Sequence, residues 1–292
     1  MKMLIFGASG RTGQVLCKCA AAAGWELEMP THAQCDLLDA DAVSDAVLNS
    51  GAQAVVNCAA ISGLESCADD PLQAHLINAV APAAMALACR HTGARFVHFS
   101  TDYVLDGRKA GLKTEGAKCK PISVYGESKR EGELQVLEAL PAAVVLRVSW
   151  VCGNPAKPSF VESTLSKALR GEPLAAIGDK FSLPTDAEDI ARAVLGMLPR
   201  KECGIFQVCA SGEPVSWYDC ARMALEYAVE SGALPAIPQM QKTRLGDAVF
   251  FKEPRPVHTA MLNQRLRDCG VEMPTVAETM RHVALRFLAA QG

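Results

Sequence analysis

An α/β fold on a doubly wound parallel sheet, with a smaller and discontinuous C-terminal portion, is what the 292-residue sequence predicts. Three observations carry that expectation. Short apolar runs alternate with helical patterns through residues 1–150. A glycine-rich turn follows the first run at once, and after Trp150 prolines cluster and the rhythm changes.

Each element has a local reason. Lys2–Phe6 is an apolar run of strand length, and 12–23 is an Ala-rich helical stretch. A second strand is expected at 25–29, a helix at 39–49 and a third strand at Ala54–Asn57. One long helix should cover 71–91, with the next strand at 95–99. A helix beginning near Pro121 and a strand at 143–147 close the first half. In the second half a helix at 187–198 leads into a buried strand at 204–209, which returns the chain to the sheet. Pro155, Pro158, Pro173, Pro184, Pro235, Pro238, Pro254 and Pro256 mark the irregular remainder.

Composition narrows the function. Twenty-nine Lys and Arg against 32 Asp and Glu give a net charge of −3, without the basic excess of a dedicated nucleic-acid binder. The N-terminal apolar run meets Gly7 too soon for a signal peptide, and 79–89 reads as too short and weakly apolar for a membrane span. Twelve cysteines stand singly, with no Cys-x-x-Cys, and read as buried free thiols of a reducing cytoplasm. The six histidines show no metal spacing and read as structural or surface residues.

Two motifs carry chemistry. Gly7-Ala8-Ser9-Gly10-Arg11-Thr12-Gly13 lies between the first strand and first helix. Glycines there let the backbone turn tightly and approach a pyrophosphate, held by the positive end of the helix. No Lys-Ser/Thr pair follows, which excludes a kinase-type phosphate loop. Further on, Tyr125 and Lys129 stand four apart, so one helix presents both on one face. A neighbouring ammonium should bring a phenol's pKa down from its usual value near 10. A hydroxyl such as that of Thr101 can hold a substrate carbonyl beside them.

The glycine spacing resembles that of short-chain dehydrogenase/reductases, with their Rossmann-like sheet. Longer phrases resemble one branch, the dTDP-4-dehydrorhamnose reductase family. They are Ser100-Thr101-Asp102-Tyr103-Val104-Leu105-Asp106-Gly107 and Tyr125-Gly126-Glu127-Ser128-Lys129-Arg130-Glu131-Gly132-Glu133. Arg147-Val148-Ser149-Trp150, Pro184-Thr185-Asp186 and Arg255-Pro256 follow in the family's order. The resemblance implies Thr101, Tyr125 and Lys129 as catalytic trio. It implies cofactor contacts at Gly7, Gly10, Arg11, Thr12, Gly13, Asp36, Leu37, Asn57, Ala59, Ala60, Ser100, Tyr125 and Lys129. Substrate contacts would come from Thr101, Asp102, Trp150, Phe160 and Arg255. Asn78, in the long helix, reads as a capping or packing residue with no more than an auxiliary role. Some relatives bridge dimers through a metal held by a Glu of the first helix; Val15 stands there, and no metal is expected. Ile61 to Ala68 and Cys152 depart from the family pattern in the region that shapes the sugar pocket.

The implied activity is an NAD(P)H-dependent reduction of a nucleotide-linked 4-keto-deoxysugar. An epimerase or dehydratase of the same fold, and a cofactor-binding subunit resembling the regulatory subunit of methionine adenosyltransferase, are the alternatives. Counting along the second strand puts the ribose-reading position near the uncharged Thr31, which favours NADP(H) with Arg11 at its 2′-phosphate. Glu28 at that position would instead allow NAD(H). Residues 1–152 and 184–212 are expected to form the dinucleotide-binding domain, and 153–183 with 213–292 the substrate domain. The expected partner is the nucleotide sugar, with neither nucleic acid nor membrane, and a homodimer is compatible with the reading.

Overall fold

Alternation along one strand decides the layers. In β1 (Lys2–Phe6) Met3 and Ile5 belong to one apolar cluster, Leu4 and Phe6 to another, and all four are buried. A strand buried on both faces needs helices above and below it. The computed structural model describes residues 1–291 and supplies them.

In the first half β1 is followed by α1 (Arg11–Ala22), β2 (Glu26–Glu28), α2 (Ala40–Ser50), β3 (Ala54–Asn57) and α3 (Leu64–Asp69). Then come α4 (Pro71–His75), α5 (Ala81–Thr92), β4 (Arg95–Thr101), α6 (Val124–Ala139) and β5 (Val144–Val148). Shorter pieces open the second half: β6 (Val151–Cys152), α7 (Phe160–Leu169), β7 (Leu174–Ile177), β8 (Phe181–Ser182) and β9 (Thr185–Asp186). They lead to α8 (Ala187–Met197), β10 (Gly204–Val208), β11 (Val215–Ser216), α9 (Trp217–Glu230), β12 (Met240–Thr243), α10 (Gln264–Asp268) and α11 (Val276–Ala289).

The main sheet has six parallel strands in the order β10-β5-β4-β3-β1-β2. The strand order reverses between β1 and β3, where such sheets open a crevice at their carboxyl ends. One face buries Leu16 of α1 and Ile190 and Val194 of α8; the other buries Val43 and Val47 of α2 and Met85 of α5. A third cluster, with Leu165, Leu225, Met280 and Phe287, joins α7, α9 and α11 beyond that sheet.

Several boundaries differ from expectation for physical reasons. The helix expected at 71–91 is interrupted by a π turn at Leu76–Val80. Pro82, in the first turn of α5, has no N–H to give to the carbonyl four residues back, so the ladder widens there. The whole stretch Pro71–Thr92 is longer than the 79–89 run and has the length and hydropathy of a membrane span, yet Asn78, Met85 and Cys89 are buried in the fold. Helix α6 starts at Val124 rather than near Pro121, because the Ser123 side chain accepts the Gly126 N–H and caps it. The paired strands β6 with β9, β7 with β12 and β8 with β11 are too short to leave a periodic signal. All twelve cysteines are free, but only six are buried, and Cys203 is exposed.

Candidate active site

At the carboxyl end of β1, Gly7 adopts φ +76°, and a Cβ there would stand 2.5 Å from the Ala59 nitrogen. A Cβ on Gly13 would lie 2.2 Å from the Gly7 carbonyl oxygen. The turn therefore admits no side chain at either position. Gly10 precedes α1 with no side-chain cap and no acid in the first turn, so the helix's positive end is neither covered nor neutralised. That cradle fits the pyrophosphate of a dinucleotide. Gly13→Ala is expected to cost about 1–3 kcal/mol of stability through overpacking and to abolish measurable dinucleotide binding. A melting curve and a calorimetric titration with NADPH check it.

The turn faces a cavity of about 450 Å³ whose lining includes Gly10, Thr12, Thr101, Tyr125, Lys129 and Trp150. Strand β4 delivers Thr101 and α6 delivers Tyr125 and Lys129. Thr101 accepts the Tyr103 N–H at 3.2 Å and donates to Asp102 at 3.3 Å. Burial pushes the Tyr125 phenol up to about 12, although the Thr101 hydroxyl draws it down. Burial is the largest influence on the phenol, and no lowering by the Lys129 ammonium offsets it. Burial also holds the Lys129 ammonium down to about 8.

Behind the trio lie residues with fixed partners. Ser100 donates to Glu133 at 2.6 Å, and the Glu133 carboxylate also receives Arg147 Nε and Nη2 and Arg130 Nη1, each at 2.7 Å. Ser100 lines the cavity, and its hydroxyl hydrogen is given to Glu133. Asp102 is buried and accepts from Ser182 at 3.1 Å and from Thr259. It braces the loop behind Thr101. Asn57 likewise uses its side chain internally, accepting the Ala59 N–H at 2.9 Å. Ala60 lines the cavity. Asn78 is buried, paired with the Ile61 backbone and the Ser128 hydroxyl.

Two expected cations have other partners. Arg11 lines the cavity, and its guanidinium donates through Nε to the Lys157 carbonyl at 2.8 Å and through Nη2 to the Pro158 carbonyl at 3.0 Å. Arg255 forks onto Glu65 at 3.1 Å and stacks over Phe251 at 3.5 Å. Strand β2 ends at Glu28, not near Thr31, and the Glu28 carboxylate lies 2.8 Å from the Lys2 ammonium. Asp36 and Leu37 follow β2 outside this cavity's lining, Asp36 accepting the Leu38 N–H at 3.0 Å.

Trp150 is half-buried with φ +40°, the one non-glycine residue in the left-handed region among the described residues. Such a conformation costs about 1–3 kcal/mol and persists only where its surroundings enforce it. Its indole Nε1 is buried without a hydrogen-bond partner. Behind it sits Lys180, fully buried, which donates to the Pro256 carbonyl at 2.6 Å and lies 4.9 Å from the Tyr103 ring and 5.7 Å from the Trp150 ring. Sequence reasoning missed Lys180, since a lysine after Gly178-Asp179 looks like a solvated turn. Two further cavities share walls in turn: one of about 220 Å³ is lined by Arg11, Trp150, Phe160 and Trp217, and one of about 480 Å³ also has Phe160 and Trp217 in its lining. The Phe160 and Trp217 rings stack at 5.4 Å, and Lys167 and Arg244 line the far space.

A doubly wound sheet whose glycine turn and Thr–Tyr–Lys cluster share one cavity defines the class, that of the short-chain dehydrogenase/reductases. The chain belongs to the RmlD substrate binding domain family, whose signature matches residues 1–288. It is 31% identical over 280 residues to the spore coat polysaccharide biosynthesis protein SpsK of Bacillus subtilis, covering 96% of this chain and 95% of that one. With the dTDP-4-dehydrorhamnose reductase of Mycolicibacterium smegmatis it shares 33% identity over 272 residues, 92% of this chain and 80% of that one. The crystal structure of a dTDP-4-dehydrorhamnose reductase from Clostridium acetobutylicum superposes with a TM-score of 0.90 at 27% identity, covering 99% of this chain and 100% of that one.

Proposed function

We propose that this protein is an NADP(H)-dependent reductase of a nucleotide-linked 4-keto-deoxysugar, with dTDP-4-dehydrorhamnose as the first candidate substrate. The observation that carries the reading is the single cavity lined by both the glycine turn and Thr101, Tyr125 and Lys129. When bound, the nicotinamide supplies hydride to the carbonyl carbon. Tyr125, protonated in its buried site, gives its proton to the carbonyl oxygen; Thr101 orients that oxygen, and Lys129 restores the phenol's proton. NADP(H) is favoured over NAD(H) because the Glu28 carboxylate at the end of β2 is already neutralised by Lys2.

The sugar lies against Trp150, and its nucleotide runs along the stacked pair of Phe160 and Trp217 toward Lys167 and Arg244. Trp150 Nε1, buried without an acceptor, suits a sugar hydroxyl or phosphate oxygen. Residues 153–183 and 213–292 serve as the substrate domain on this reading, and the enzyme works in the cytoplasm.

The test is NADPH oxidation with dTDP-4-dehydrorhamnose and a panel of other nucleotide-4-ketosugars; no turnover with any of them would defeat the proposal. Arg255 is assigned to the diphosphate, exchanging Glu65 for it. A charge-assisted hydrogen bond contributes about 1.5–3 kcal/mol, so Arg255→Ala should raise KM by about tenfold or more and leave NADPH affinity unchanged. Initial-rate kinetics would show an unchanged KM if Arg255 had no such role.

A further inference from the structure

We infer that His98 is a positioning residue for Lys129, its tautomer fixed by Asn57 so that it points a donor at the lysine nitrogen and favours the neutral amine. The inference rests on the reading of Lys129 as a catalytic residue, but its geometry stands apart from any substrate.

His98 and Asn57 are paired neighbours on β4 and β3, and both are buried. The Asn57 amide has one workable orientation, because its Oδ1 accepts the Ala59 N–H at 2.9 Å. Its Nδ2 therefore donates to His98 Nδ1, 3.2 Å away. With Nδ1 accepting, a neutral imidazole carries its hydrogen on Nε2. That nitrogen lies 3.4 Å from Lys129 Nζ. An ammonium has three donors and no acceptor, so the protonated lysine would face another donor; an amine has a lone pair to receive it. Turning the imidazole's hydrogen to Nδ1 only moves the conflict to Asn57. The chain Ala59, Asn57, His98, Lys129 is satisfied throughout only when Lys129 is neutral.

Other groups face the lysine as well. Cys58 follows β3 and Cys67 lies on α3, both thiols pushed up by burial and so protonated. Glu133 stands one turn further along α6, its carboxylate held by Arg147, Arg130 and Ser100. Tyr125 lies one turn earlier. Glu133 favours the ammonium, while burial, the largest influence, disfavours it. His98 adds a directed preference to that balance. When Lys129 gives up a proton in turnover, the amine left behind is the form that the chain accommodates, and solvent then returns the proton.

Asn57→Asp tests this without changing the shape of the chain. A carboxylate would accept from both Ala59 and His98, move the imidazole's hydrogen to Nδ1, and turn Nε2 into an acceptor for the ammonium. Nitrogen-15 NMR of the ligand-free full chain, above the titration of Lys129, should find His98 protonated on Nε2 in the native protein and on Nδ1 in Asn57→Asp. Lysine-labelled protein should show the Lys129 titration displaced upward in the variant by at least about one pH unit, roughly a tenfold change in proton affinity. A native His98 protonated on Nδ1, or on both nitrogens, would overturn the inference, even if the variant does not fold. So would a Lys129 displacement with no change of tautomer, which is the signature of added charge alone. Neither measurement uses turnover, so a failure here differs from inactivity toward nucleotide sugars.

Discussion

Tyr125→Phe should lower kcat by roughly 10²-fold or more, about 2.7 kcal/mol of transition-state stabilisation, while NADPH still binds as it does to the native enzyme. Removing one oxygen leaves the ring packed edge-on against Tyr103, at a centroid distance of 5.8 Å, so the wall of the cavity survives. The phenol is the group proposed to donate in the direction of reduction, and burial keeps it protonated throughout the neutral range. Its own titration is therefore not the limit at moderately alkaline pH. Lys129 is: with its pKa held down to about 8 by burial, it loses the proton that must restore the phenol as pH rises through that value. The native rate should fall on the alkaline side near 8. Stopped-flow hydride transfer with the variant checks the first claim, and a kcat profile against pH checks the second. Near-native turnover in Tyr125→Phe would remove the phenol from the mechanism.

What the sequence made legible was local. Gly7 and Gly13 could be read because a tight turn before a helix leaves no room for a Cβ there, and Tyr125 with Lys129 because four residues make one helical face. Trp150 lines the cavity that holds the trio, and Phe160 lines a neighbouring one that also has Trp150 in its wall. What could not be read were partners far along the chain. Arg11 looked free until the fold brought the Lys157 carbonyl, 146 residues away, to its guanidinium. Arg255 read as an anion site, but nothing in the sequence pointed to Glu65, 190 residues distant, as its partner in the fold. No pattern in the sequence selects these pairings, since any surface carboxylate or carbonyl would serve. The π turn did leave a mark, Pro82 inside a helical run, and His98 left another, as a polar residue within an apolar strand.

The buried pair of Glu133 and Arg147 sets how firmly those elements are joined, and Glu133→Gln should cost about 3–5 kcal/mol. That is a large part of the roughly 5–15 kcal/mol by which folded proteins are stable. The substitution keeps the shape, but it removes the charge opposite a guanidinium whose side chain is 1% exposed and puts an amide donor where two N–H groups need acceptors. Replacing both partners by apolar residues, as in Glu133→Met with Arg147→Met, should recover most of the loss, because no charge then stays buried alone. Denaturant midpoints at constant slope measure both. The pH dependence has a definite sign. Burial alone would raise the Glu133 pKa, but hydrogen bonds and charge from Arg147, with Ser100 and Arg130, hold it below the usual 4.5. Its contribution is therefore complete above that value and disappears as pH falls through the lower folded pKa, a step Glu133→Gln should lack. The position explains why the pair matters for catalysis: Glu133 is one turn beyond Lys129 on α6, Ser100 adjoins Thr101 on β4, and Arg147 lies on β5 just before Trp150. Weakening it should loosen Thr101 relative to Tyr125 and Lys129, lowering kcat even at temperatures where the variant stays folded. A Glu133→Gln protein with native stability would show that packing alone joins these elements.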